Sequence, residues 1–241
     1  MNKKNLIITS ALSLVVLFML SAASAQTSIT VNNPIFEAQP VPVAGNLITT
    51  PNGPTGWTGF RTGSGGNFDI GVGNASGPDF TTPLTAPGSG TNYLWINDFN
   101  GNGTEITGVY QDVGALLADT SYTLTVAIGQ RAGAAPNGQS SWSPGIITLL
   151  NGTDNTGTVL ATATGIPTTP NTWEDFTASF ITGATVSSDL TIELSVVDAP
   201  AIQADFSNVE LTATAVPEPT TCALLGGGFI SLMAIRRRKS A

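Results

Sequence analysis

Two stretches of the chain alternate apolar and polar side chains with a period of two. In Tyr122-Thr-Leu-Thr-Val-Ala-Ile128, the residues Tyr122, Leu124, Val126 and Ile128 fall on one side and Thr123, Thr125 and Ala127 on the other. That is the pattern of a strand with one face buried. Leu190-Thr-Ile-Glu-Leu-Ser-Val196 repeats it, with Leu190, Ile192, Leu194 and Val196 inward. Weaker runs of the same kind predict strands over Phe68–Val72, Tyr93–Asn97, Val109–Val113, Ile146–Leu150, Val159–Thr164, Phe176–Ile181 and Ser207–Thr212. Turn dipeptides separate them, among them Asn52-Gly53, Pro87-Gly88, Asn137-Gly138 and Asn151-Gly152. The helical period shows only once, for a single turn between Val113 and Ala118. Many short strands with Gly- and Asn-rich connections predict an all-β fold, an antiparallel β-sandwich of jelly-roll type. A solenoid would require a repeat of fixed length, and none is visible.

The start of this region is looser. Between Asn33 and Pro54 stand five prolines and little alternation, which predicts an entering strand around Ile29–Phe36 and then a long loop. At the other end, residues 213–216 read as a linker. The domain proper is thus 26–212, within a body (26–216) long enough for one core that buries roughly 70% of its unfolded-chain surface.

The two ends follow other rules. Residues 1–25 have Lys3 and Lys4, an apolar stretch from Leu6 to Leu20, and the small-residue sequence Ala23-Ser24-Ala25. These are the three parts of a secretory signal peptide, cleaved after Ala25 by signal peptidase once the Sec translocon has engaged it. The last residues run Val216-Pro217-Glu218-Pro219, then an apolar segment 222–235, then Arg236-Arg237-Arg238-Lys239. Fourteen residues rise about 21 Å as a helix, less than the roughly 30 Å hydrocarbon core, so 222–235 predicts a short transmembrane helix suited to a temporary anchor. The basic cluster after it places the extreme C-terminus in the cytoplasm. Pro217-Glu218-Pro219, the Gly-containing apolar helix and the terminal arginines, in this order, resemble the PEP-CTERM sorting signal over 217–241. The resemblance implies an exosortase, a membrane protease that cuts at the Pro-Glu-Pro motif, and bacteria that build exopolysaccharide and biofilm. The mature body is then exported to the cell envelope or extracellular matrix.

Charge sharpens this picture. The chain of 241 residues has 16 acidic and 8 basic side chains and no histidine, and its one cysteine, Cys222, lies in the tail. Between residues 26 and 216 only Arg61 and Arg131 are basic against 15 acids, a net −13. Such a body repels phosphate backbones, which excludes nucleic acid as a partner. Without histidine there is no Ser-His or Cys-His pair and no ordinary His-containing zinc site. No cofactor is required by anything in the sequence.

Four residues are candidates for carbohydrate binding: Trp57 and Trp142 in Gly- and Ser-rich surroundings, with Arg61 and Arg131 close to them in sequence. Indole rings stack on the apolar faces of sugars, although most tryptophans serve the core or anchor loops. Trp95 reads as sheet packing and Trp173 as a weaker ligand candidate. Asp98, Asn100, Asn102 and Glu105 have the alternating oxygen ligands of a calcium loop, but Val109 stands where a bidentate glutamate is needed, and a plain turn explains the segment better. Glu174 and Asp175 are the only adjacent acids, and neighbours on a strand face opposite ways, which disfavours a polysaccharide hydrolase or lyase. The body also resembles exported jelly-roll domains akin to carbohydrate-binding modules, through Asn33-Pro-Ile-Phe-Glu37, Gly56-Trp57, Val109-Tyr-Gln-Asp-Val113 and Asp205-Phe-Ser-Asn-Val-Glu-Leu211. The expectation is a non-enzymatic envelope or matrix protein that binds exopolysaccharide. The alternatives are an Asp/Glu polysaccharide hydrolase or lyase and a purely structural surface protein.

Overall fold

The computed structural model describes residues 25–40, 47–63, 68–74, 90–98, 105–130, 142–170, 172–197 and 202–216. Twelve strands run through these residues: β1 (Gln26–Ile29), β2 (Leu47–Thr49), β3 (Thr58–Arg61), β4 (Phe68–Asn74), β5 (Asn92–Asp98), β6 (Ile106–Ala115), β7 (Thr120–Gln130), β8 (Gly145–Asn151), β9 (Thr158–Gly165), β10 (Thr172–Ile181), β11 (Asp189–Val197) and β12 (Ile202–Ala215). They form two antiparallel sheets. The larger has the order β10-β7-β12-β5-β4-β2 with β1 added beside β12, and the smaller has β3-β6-β11-β8-β9. From β5 onward the chain alternates between the sheets, except for the β8–β9 hairpin. The architecture is the two-sheet sandwich expected from the alternation.

The inward phases meet between the sheets. Ile70, Val72, Leu94, Ile96, Leu124, Val126 and Ile128 of the larger sheet pack with Val109, Ile147, Leu149, Ile192, Leu194 and Val196 of the smaller one, all fully buried. Across β7 and β10, Tyr122 faces Phe180 and the rings stack at 5.2 Å. Tyr122 also closes the preceding turn, because the Leu117 N–H donates to its hydroxyl at 2.7 Å.

Four sequence expectations change. The entering strand ends at Ile29 instead of running to Phe36, because Asn33 and Phe36 take left-handed conformations, φ 50° and 59°. Asn33 accommodates this by accepting the Ala38 N–H on its own side chain, and Phe36 is held there by full burial against Trp57. Asn92 donates to the Phe36 and Gln39 carbonyls, so Asn33-Pro-Ile-Phe-Glu37 is a folded plug and not a strand. The 213–216 linker is strand up to Ala215, with Ala213 in the core. The short helical stripe over Val113–Ala118 is instead the end of β6, which includes Gly114 at φ 101°, and the turn that closes at Asp119, φ 46°. Finally, β2 and β3 were not expected.

Within β12, inward residues are spaced by two up to Phe206 but the next is Val209. Asn208, φ 50°, supplies the extra residue of a bulge that resets the phase, and pairing with β5 stops at Phe206. The compact unit spans Ser28–Ala213. The signal residues through Ser24, including Ala23, and the whole of 217–241 lie outside the described residues; Ala25 is described and exposed. No helix among the described residues is long and apolar enough to cross a membrane.

Candidate ligand-binding face

The outward phase of the larger sheet is where the polar half of the alternation should meet water, and around β4, β5 and β12 it does not. Register sets three rows across these strands. Asp69 lies opposite Asn97 and Asn97 opposite Gln203; Gly71 opposite Trp95 and Trp95 opposite Asp205; Gly73 opposite Tyr93. Tyr93, Trp95, Asn97, Gln203 and Asp205 are all nearly or fully inaccessible to solvent. Trp173 on β10 reaches the same face: its ring lies over Gly129 and meets Tyr93 edge-on at 6.2 Å.

Glycines make room for these rings. A Cβ on Gly71 would collide with the Trp95 ring and the Ile48 carbonyl, and one on Gly129 would stand 2.9 Å from the Trp173 ring. The polar atoms are partly left over. Gln203 donates to Asp205 Oδ1 at 2.5 Å, but the indole N–H groups of Trp95 and Trp173 and the Asn97 Oδ1 have no hydrogen-bond partner among the described residues. Leaving a buried polar group unpaired costs about 1–3 kcal/mol. Three such groups on one face, beside a carboxyl and flat rings, have the composition of a small-molecule site. Desolvation by burial also raises the Asp69 carboxyl above its ordinary value.

Two other buried acid sites lie elsewhere. Arg61, between the sheets, pairs with Asp98 at 3.6 Å and with Glu105 at 2.5 Å, and stacks on Phe68 at 5.1 Å. Thr107 donates to the other Asp98 oxygen at 2.6 Å. On the outward phase of the smaller sheet, Glu193 is buried with Ser195 donating to it at 3.0 Å, and desolvation pushes its carboxyl up to about 7.

The residues nominated from the sequence are distributed as follows. Trp57 is in the core, its N–H on the Asn33 carbonyl at 3.3 Å, and it offers no open face to a sugar. Arg61 is interior, in the cluster just described. Arg131 lies outside the described residues. Trp142 is half-buried, and its neighbour Ser143 donates to the Gln203 carbonyl at 3.0 Å, which sets it beside the strand of Asp205. Of the calcium candidates, Asp98 and Glu105 converge on the Arg61 guanidinium, which brings positive charge to the place a cation would take. Asn100 and Asn102 lie outside the described residues. Among the described residues no three acidic or cysteine side chains gather to hold a metal. Glu174 and Asp175 face opposite sides of β10 and do not converge.

Tyr93, Asn97, Gln203 and Asp205 were not singled out from the sequence, and Trp95 was assigned to packing. The signal was present: Tyr93-Leu-Trp-Ile-Asn97 puts its large aromatics on the phase opposite the aliphatics, where a solvated strand would place small polar groups.

The molecule is thus a two-sheet sandwich with a buried aromatic and carboxyl face on one sheet. The chain belongs to the HpiC1-like family, described as HpiC1 cyclase, whose model matches residues 27–212. The PEP-CTERM protein-sorting motif matches residues 215–239, which implies export, sorting to the cell surface and processing by an exosortase. Among solved structures, a Stig cyclase from Fischerella sp. TAU, in complex with a pyrrolidinylidene-indole, superimposes with a TM-score of 0.66 at 24% identity, covering 80% of this chain and 100% of that one. A cyclase from the same organism, in complex with 4-(1H-indol-3-yl)butan-2-one, gives 0.63 at 24% identity over the same shares. A promiscuous carbohydrate-binding module of the β-sandwich superfamily is a looser likeness, with a TM-score of 0.40, 15% identity, and 70% and 63% covered. No curated protein matches the chain.

Proposed function

We propose that the exported body binds a compact, ring-bearing organic molecule against Tyr93, Trp95 and Trp173. The observation that carries this is the row Gly71–Trp95–Asp205, in which a glycine, an indole and a carboxyl lie side by side on a sheet face withdrawn from water. The two indole N–H groups ask for acceptors on the ligand, and Asn97 Oδ1 asks for a donor. Flat rings and few polar contacts suit an aromatic ligand better than a hydroxyl-covered sugar. Membership in a cyclase family and the indole ligands of the two Fischerella enzymes support the same choice.

A second reading adds turnover. Ring closure needs a proton delivered or removed where water is excluded, and Asp205 is the carboxyl placed to do so. Binding without turnover leaves the protein a non-enzymatic envelope or matrix component. Exopolysaccharide is then the ligand to try, with Trp142 as the nominated tryptophan nearest the face.

Isothermal titration of residues 26–216 with indole and with a panel of oligosaccharides tests this. The expected result is saturable indole binding, weakened at least about tenfold, or about 1.4 kcal/mol, by Trp95→Ala. Oligosaccharide binding with no response to indole overturns the proposal.

A further inference from the structure

One end of the sandwich carries most of the exposed large apolar side chains. Among the described residues, Leu117, Val159 and Ile181 are 58%, 58% and 66% exposed, against 38% for Val197 at the other end. The register places the first three together. β6 ends and β11 begins where Ala115 faces Asp189; β8 ends where Asn151 faces Leu190 and Thr158; β10 ends where Ile181 faces Ser121. The loops at this end are tied to one another: the Leu116 N–H donates to the Ser188 carbonyl, the Gly152 N–H to the Asp189 carbonyl, and the Thr182 hydroxyl to the Leu117 carbonyl.

The last strand also runs toward this end. The Thr212 hydroxyl donates to the Thr123 carbonyl at 3.5 Å, three residues after β7 begins, and Ala213 is still core. From Ala213 to Cys222, where the apolar run starts, there are nine residues, at most about 30 Å of extended chain. Whatever holds the run therefore holds this end of the body nearest to it, at high effective concentration. Large apolar side chains exposed at one end of a domain mark an interaction surface.

We propose that, before the tail is removed, the Leu117, Val159 and Ile181 tips rest in the interfacial layer of the membrane. The inference depends on the sequence reading of 222–235 as a membrane span. Asp119, Asp154 and Asp189 lie at the same end, so attraction to anionic headgroups does not hold the body there. Three apolar tips without a basic patch make a weak contact that lasts while the chain is tethered. Cutting at Pro217–Pro219 then frees the body without a further step.

The test uses the full chain in vesicles of phosphatidylethanolamine and phosphatidylglycerol. Spin labels are placed singly at Leu117→Cys, Ile181→Cys and Val197→Cys in a Cys222→Ala background. All three sites are exposed, so no core packing is lost. At positions 117 and 181 relaxation by oxygen, which concentrates in lipid, should exceed that by a water-soluble nickel chelate, and at 197 the ratio should reverse. Water-like ratios at all three positions overturn the docking while leaving the span intact, provided the protein floats with the vesicles. Shielding of 117 and 181 from both reagents points to a second protein copy and also overturns it. Failure to float overturns both the docking and the span.

Discussion

Replacing Arg61 by alanine is expected to destabilise the body by about 3–5 kcal/mol, the usual consequence of stripping one partner from a buried ion pair. The guanidinium is the only cation among the described residues of the body, and it answers two carboxylates at once, Asp98 and Glu105. Asp98 is fully buried and also accepts from the Thr107 hydroxyl. Without Arg61, its charge stays between the sheets without the cation that answers it. Lysine does not restore the site, because a point charge cannot reach both acids and stack on Phe68 together. Urea denaturation of residues 26–216 reads the difference, with Arg61→Lys expected between wild type and Arg61→Ala. An alanine variant within about 1 kcal/mol of wild type would show that the cluster is solvated.

The second large effect depends on pH. Among the described residues Glu193 has no counter-charge: facing it are Tyr110 of β6 and Thr148 of β8, with Thr162 of β9 beyond Thr148, and the nearest other titratable group on β6 is Asp112, of like sign. Burial moves its carboxyl from 4.5 to about 7, with the Ser195 hydroxyl pulling weakly the other way. Between about pH 4.5 and pH 7 the folded chain therefore keeps a proton that the unfolded chain has released. Stability from this group falls as pH rises through that window and is level outside it, a total of about 3 kcal/mol. Glu193→Gln is expected to remove the slope, leaving the variant about equal to wild type near pH 4 and more stable at pH 8. Parallel stability curves for the two proteins from pH 4 to 8 would contradict this.

How much could be read in advance depended on what each strand had to do. The nine strand segments expected from alternation are all strands, because each turns apolar side chains to the core; β5 buries its other face as well, and β12 changes phase at Asn208. β2 and β3, three and four residues long beside Pro51 and Pro54, are too short to show a period. Phe36 was read as strand because its left-handed backbone is imposed by burial against Trp57, a tertiary cause. The candidate face was missed for a related reason. An outward phase is presumed wet, and only the register of β4, β5 and β12 shows Trp95, Asn97 and Asp205 side by side and dry. Trp57 and Arg61 were nominated because Gly- and Asn-rich sequence around them suggested a surface, whereas the Asn33–Gln39 plug and the acid pair draw them inward.

The chain has four tryptophans, and their indole N–H resonances give the most direct test of the ligand-binding face. A nitrogen-15 spectrum of residues 26–216, titrated with unlabelled indole, should move the Trp95 and Trp173 signals, whose N–H groups have no partner among the described residues, and leave Trp57, bonded to the Asn33 carbonyl, in place. A spectrum in which Trp95 and Trp173 stay fixed at saturating indole would contradict the account.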